Sequence, residues 1–425
     1  MTLTGQELPR LRTAVPGPRS TALVDTLARR ECAAITARRS RSYALGADRF
    51  DPIVWEEARG AVVRDVDDNL FIDMEAGFGV AFVGHRHPAV VAAARAQQDK
   101  LLHAMGDVFP DVTRIRMMDR LAGLCPPGLD TMILGLSGSD AVEAAIKTGI
   151  MASGRHGVLA FDGAYHGLTV GNTPLQGYSP DFSAPFKPIL NPLVWQLPWG
   201  APIEQIVALL AEGRVGTVIV EPVQGRGGMR AAPEGWIAAI ARAARAAGAV
   251  VVFDEVQSGL GRTGAMWAGT AEGVIPDLLC VGKTLGGGFP ISACVGTRAV
   301  MDAWGPSTGE ALHTQTFLGH PMGTAAALAV MDLIEGEDLP RRAASLAAWL
   351  RAELLSAGFQ TRGRGLMIGV HVPDPIAASR GLLERGFIAL PSGSGAAVLG
   401  IIPPVVLTEA QGQAFVAALS EAVGA

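Results

Sequence analysis

Five short apolar runs, each closed by a small polar or glycine-rich segment, constrain this chain more than any other feature. They are TMILGL (131–136), GVLAF (157–161), TVIV (217–220), AVVVF (249–253) and LLCV (278–281). A strand with one wet face alternates apolar and polar side chains, whereas an unbroken Val/Ile/Leu run needs cover on both faces. The runs therefore predict strands of a mainly parallel central sheet flanked by helices, an α/β fold, with the first strand leading into a helix from Asp140. In such open sheets ligands bind beyond the carboxyl ends of the strands. The polar clusters DGAYHG, EPVQGRGG, DEVQSG and GKTLGGG stand at those ends, and the 53 glycines of the chain concentrate there.

At 425 residues the chain is longer than a single core usually supports. The expected division is an N-terminal arm and part of a small domain over 1–60, a large α/β domain over 61–310, and a small α+β domain over 311–425. In the last, helices are expected at 324–335 and 339–357, short strands around LMIGVHV and FIAL, and a closing helix from Thr408. In the first, only a helix near 21–39 stands out. A formal net charge of -5 without a basic run argues against nucleic acid, and no uncharged run reaches the length of a membrane span. The N-terminus has no apolar stretch of the kind that marks a signal peptide. Cys32, Cys125, Cys280 and Cys294 are widely spaced and show no metal-ligand pattern, which suits reduced thiols in a cytoplasm and no metal site. The partner expected is a small molecule.

Lys283 follows a buried strand and is flanked by glycines in VGKTLGGGFP. A desolvated lysine has the lowered pKa that a Schiff-base nucleophile requires; a solvated side chain is the alternative. Asp254 ends AVVVF, where a buried carboxylate needs a cationic partner. A pyridinium N–H is one such partner and a helix cap is the other reading. Ser137, Gly138 and Ser139, in SGSDAVEAAIK, open a helix after a strand, where free amides and the positive dipole end favour a phosphate as well as an ordinary N-cap. Tyr165 can stack on a planar ring or fill the core. The GKT at 282–284 imitates a P-loop, but Asp277 stands where that loop needs glycine. No GxGxxG follows a first strand, which leaves a nicotinamide cofactor little support.

FDEVQSGLGRTG, followed by PDLLCVGKTLGGGFP with 29 positions from Asp254 to Lys283, resembles the signature of the class III (ω-aminotransferase) family of fold-type I pyridoxal-phosphate enzymes. The likeness runs from VPGPRS to IIPPVVLT. It implies pyridoxal 5′-phosphate as cofactor, with Lys283 as its Schiff-base lysine and Asp254 as partner of the pyridine nitrogen. Gln257 is then near the 3-hydroxyl, Gly138 and Ser139 at the phosphate, Tyr165 and His166 at the ring, and Glu221 along the site wall. Thr316 in HTQTFLGHP corresponds to a residue that reaches the phosphate of a neighbouring subunit, which implies a homodimer with shared sites. The implied reaction is ping-pong transfer of an amino group from an amine or an ω- or β-amino acid to a keto acid, ketone or aldehyde. Mutase, epimerase, decarboxylase and phospholyase chemistry on the same scaffold are the alternatives, and a catalytically retired binding protein is a further one.

The chain departs from that family pattern at three places. Leu168 stands where enzymes acting on 4-aminobutyrate or ornithine carry an arginine after YHG. Gly400 stands where a second arginine precedes the PP pair, and Arg226 replaces the glutamate of QGEGG. Arg226 is thereby a candidate for an acidic group on the substrate, or a solvent-facing loop residue. Phe78, where smaller aliphatics occur in relatives, can narrow the substrate side or belong to the core.

Overall fold

The computed structural model describes residues 2–32, 35 and 52–424. After a helix at Pro18–Arg30 come three antiparallel strands, β1 (Trp55–Arg59), β2 (Val62–Asp65) and β3 (Leu70–Asp73). Next are β4 (Leu129–Gly135), β5 (Gly157–Phe161), β6 (Val194–Leu197), β7 (Val215–Val220) and the short hairpin β8 (Val223–Gln224) and β9 (Arg230–Ala231). They are followed by β10 (Val250–Asp254), β11 (Leu278–Val281) and β12 (Ser292–Thr297). The chain closes with β13 (Thr361–Arg364), β14 (Met367–Val370), β15 (Phe387–Ile388), β16 (Leu390–Ser392) and β17 (Val398–Ile401), interleaved with helices.

The central sheet runs β4-β12-β11-β10-β7-β5-β6. Five of its strands are those expected from the apolar runs, and β5, β7, β10 and β11 are buried along their whole length. The reason is visible in β10. Val251 and Phe253 face one core with Ile240 and Ala244 of the helix Trp236–Ala246, while Val250 and Val252 face another with Ala141 and Ala145 of the helix Gly138–Ser153. Each large side chain so buried contributes about 1.5–3 kcal/mol. Two strands lay outside the expectation. Edge strand β6 is only partly buried, and β12, whose small residues Ser292, Gly296 and Thr297 break the Val/Ile pattern, pairs antiparallel with both β11 and β4. Being inverted once on each side, β12 leaves β4 pointing the same way as β11. The carboxyl ends of β4, β5, β7, β10 and β11 therefore meet along one edge of the sheet.

A second core joins the two ends of the chain. Val62, Leu70 and Ile72 pack with Leu350, Ile368, Leu399, Phe415 and Leu419, and β3 pairs in parallel with β15. The side-chain amide of Gln411 donates to the carbonyls of Gly5 and Glu7, holding the N-terminal arm against the last helix, Glu409–Val423, which Thr408 caps. The helices expected at 324–335 and 339–357 are Pro321–Gly336 and Leu339–Ser356. Of the helix expected near 21–39, Pro18–Arg30 is found, and positions 33, 34 and 36–39 lie outside the described residues.

Candidate active site

The shared sheet edge gathers most of the residues singled out above. Asp254 is buried at the end of β10; its Oδ1 accepts the Val256 amide at 3.1 Å and its Oδ2 lies 2.7 Å from Nδ1 of His166. His166, expected beside Tyr165 at a ring, thus also gives the buried carboxylate a hydrogen-bond partner. Burial alone would lower the His166 pKa, but the hydrogen bond and charge of Asp254, helped by Glu221, outweigh it and raise it. The other ring nitrogen, Nε2, is buried without a partner.

Glu221, one residue past β7, accepts the Tyr165 amide at 2.9 Å and the Gly225 amide at 3.4 Å. Burial pushes its pKa up to about 7, the His166 charge opposing this and the Asp254 charge adding to it. Lys283 begins a single 3-10 turn after β11 with φ 41. That is a left-handed conformation which a non-glycine residue holds only when its surroundings impose it, and such strain concentrates at functional sites. Burial lowers the Lys283 pKa; Asp254 and Glu221 oppose the shift, and Arg262 and Arg226 reinforce it. The Lys283 side chain runs past Gly79, whose missing Cβ would stand 3.6 Å from Gln257 and 3.8 Å from Lys283. Gln257 and Lys283 therefore flank one glycine.

The helix Gly138–Ser153 opens with Ser137 as N-cap, in a reciprocal capping box with Asp140. This leaves the amides of Gly138 and Ser139 without partners among the described residues. Side chains are excluded from the cradle: a Cβ on Gly138 would stand 2.7 Å from Val256, and one on Gly167 would overlap the Ser139 hydroxyl. Two free amides at a helix N-terminus with that approach kept open can receive an anionic group such as a phosphate.

Thr316 and Phe78 stand apart from this cluster, and Arg226 borders it through Tyr165. Thr316 is exposed and takes no part in the hydrogen bonds joining the others. Phe78 is 61% exposed, in a left-handed conformation next to Gly79, so its side chain faces outward and is no part of the core of this chain. Arg226 is neither buried nor solvated; its guanidinium lies 4.9 Å from the Tyr165 ring and 5.0 Å from the Tyr178 ring.

Sequence reasoning missed Arg262 altogether. Fully buried against the Phe82 ring, it donates to the carbonyls of Ile402, Pro403 and Gly79. Burial pulls its pKa down to about 9 although Glu75 and Asp73 act to raise it. It ties the 76–79 turn and the IIPP segment to the loop after β10. The only available signal was an arginine inside GLGRTG, a composition that equally suits a surface loop.

Comparison with known proteins bears on this arrangement. A family model described as Aminotransferase class-III matches residues 43–423. The acetylornithine aminotransferase of Mycolicibacterium smegmatis is 35% identical over 87% of this chain and 93% of its own length. The diaminobutyrate--2-oxoglutarate aminotransferase of Rhizobium meliloti is 33% identical over 92% of each. Among solved structures, an amine transaminase from an uncultivated Pseudomonas species in its PLP-bound form superposes with a TM-score of 0.82 at 28% identity, covering 89% of this chain and 96% of that one. An (S)-enantioselective omega-transaminase from Thermomicrobium roseum gives 0.81 at 25%, covering 92% and 98%.

Proposed function

We propose, from the premise that this chain belongs to the class-III aminotransferase family, that it moves amino groups between small-molecule amines and keto acids with pyridoxal 5′-phosphate held by the cluster around Lys283 and Asp254. The observation carrying the site assignment is the convergence, on one sheet edge, of a strained lysine, a buried aspartate and two free helix amides. The residues fit the cofactor: Gly138 and Ser139 would hold its phosphate with Ser137 as cap, Tyr165 would pack at the ring, and Gln257 would serve the 3-hydroxyl. Pyridoxal phosphate supplies an electron-withdrawing ring that stabilises negative charge at the substrate carbon from which a proton leaves.

Lys283 would anchor the cofactor and, once released by an incoming amine, carry the proton at the substrate carbon; burial, which lowers its pKa, acts in favour of the neutral amine that this needs. Asp254 would face the ring nitrogen, and His166, locked to it at 2.7 Å, fixes its orientation. Glu221 orients Tyr165 through the backbone and limits how far the Lys283 pKa falls.

The finer assignments extend this reading. A homodimer with shared sites suits the exposed position of Thr316, which would then serve the phosphate of a neighbouring subunit. The four free thiols suit a cytoplasmic enzyme, and among the described residues no helix is long and apolar enough to cross a membrane. A half-reaction tests the whole. Purified holoenzyme given an amine donor and no acceptor is expected to lose its yellow absorbance stoichiometrically, and Lys283→Ala to keep it. A wild-type band unmoved by a broad panel of donors would sink the proposal.

A further inference from the structure

Two cations act on Lys283, Arg262 and Arg226. Arg262 is committed, with three backbone carbonyls on its terminal nitrogens. Arg226 is not. Its guanidinium makes no hydrogen bond or ion pair to any described residue, its Nε is buried without a partner, and its only contacts of note are the faces of Tyr165 and Tyr178. The backbone beneath it is pinned: the Arg226 carbonyl accepts the Gly393 amide at 3.0 Å, and the Ser392 hydroxyl donates to the carbonyls of Gly225 and, at 3.4 Å, Arg226. The preceding Gly225 packs so closely on Gln257 that a side chain there would overlap it, and Gln257 flanks Gly79 together with Lys283. The loop that carries the guanidinium is thus fixed, within electrostatic reach of Lys283.

No cation stands at either of the two positions where the family pattern has an arginine. Leu168 is uncharged and 46% exposed, and position 400 has no room for a long side chain, since a Cβ there already stands 3.1 Å from Ser392 and 3.2 Å from Met229. Two aromatic faces hold the plane of an arginine while leaving its N–H edge free, which is the geometry for two parallel hydrogen bonds to a carboxylate.

We propose that Arg226 is the carboxylate-binding residue of this enzyme, gripping the acid group of amino donor and keto-acid acceptor in turn, with the tyrosines of positions 165 and 178 as its brace. The assignment to substrate rests on the aminotransferase reading above; the anion site itself does not.

Calorimetric titration of the holoenzyme with glutarate, an unreactive dicarboxylate, separates the two. Wild type should bind it, Arg226→Gln should bind at least about 10-fold more weakly, and Arg226→Lys should fall between, since it keeps charge without the planar fork. In the half-reaction, Arg226→Gln should lower the ratio of kcat/KM for β-alanine over butylamine by about 10-fold to 100-fold, the worth of a charge-assisted pair. Should Arg226→Gln fail to fold or to hold its cofactor, Tyr178→Leu, which removes one side of the brace, should lower the same ratio and weaken glutarate. Glutarate that does not bind wild type, or binds the variants equally well, overturns the proposal, as does an unchanged donor ratio. An enzyme that binds glutarate through Arg226 but is bleached by no donor keeps the anion site and fails the aminotransferase reading alone.

Discussion

Asp254 and His166 form the pair on which the residue-scale chemistry turns. Because burial by itself would make His166 less basic and Asp254 reverses that, Asp254→Asn should drop the His166 pKa, read from ring nitrogen shifts in NMR. Loss of the carboxylate proposed to face the ring nitrogen should cost about 100-fold or more in kcat. A His166 titration unaltered by the substitution would show that the pair is only spatial. Glu221 supplies a second test. Its pKa of about 7 stands above the ordinary 4.5, so the fold favours the protonated acid. That stabilisation is complete below pH 4.5 and is lost as pH rises through 7, by something of order 3 kcal/mol. Glu221→Gln should flatten the urea midpoint against pH over that window. Removing a negative neighbour should also shift the rising limb of the activity profile, where Lys283 deprotonates, toward lower pH.

The first turn of the helix Gly138–Ser153 and the Arg262 clasp act as elements. A methyl group at Gly138 meets Val256 at 2.7 Å, so Gly138→Ala should tilt the free amides and weaken cofactor retention on dialysis by about 10-fold, with little change in circular dichroism. Arg262→Gln should be costlier to the fold. It leaves buried carbonyls of the 76–79 turn and the IIPP segment without donors, and removing one partner from such a buried ionic arrangement costs about 3–5 kcal/mol. Chemical denaturation measures it, and a loss below 1 kcal/mol would mean that water replaces the guanidinium. The buried apolar runs made the strands legible in advance, and the flanking glycines marked where a ligand approaches. Arg262 was illegible because its partners are main-chain carbonyls far away in the chain, which no side-chain pattern announces.

At the scale of the whole molecule, Leu102, Met105, Val108, Phe109, Val112 and Ile115 are each more than half exposed, and so are Leu312 and Phe317. The two segments touch, through His103 against Phe317 at 5.4 Å and a Thr314 to Asp107 hydrogen bond. An apolar surface of this extent calls for cover; a second copy of the chain fits the proposed sharing of Thr316. On the proposed homodimer, Phe109→Glu should shift the sedimentation profile from dimer to monomer and weaken cofactor binding, and a variant that sediments as wild type with unchanged retention would separate this surface from assembly. What the sequence by itself determined is local: which runs are buried on both faces, which helix starts have free amides, and which charged residues sit where a strand ends. These follow from side-chain period and from the cost of burying charge, and they singled out Lys283 and Asp254 before any fold was known. The tertiary structure alone decided what depends on partners distant in the chain. The inverted β12 that aligns β4 with β11, the pairing of His166 with Asp254, and the stacking of Arg226 on Tyr165 and Tyr178 all arise from register and loop packing. Those are settled only when the whole core closes.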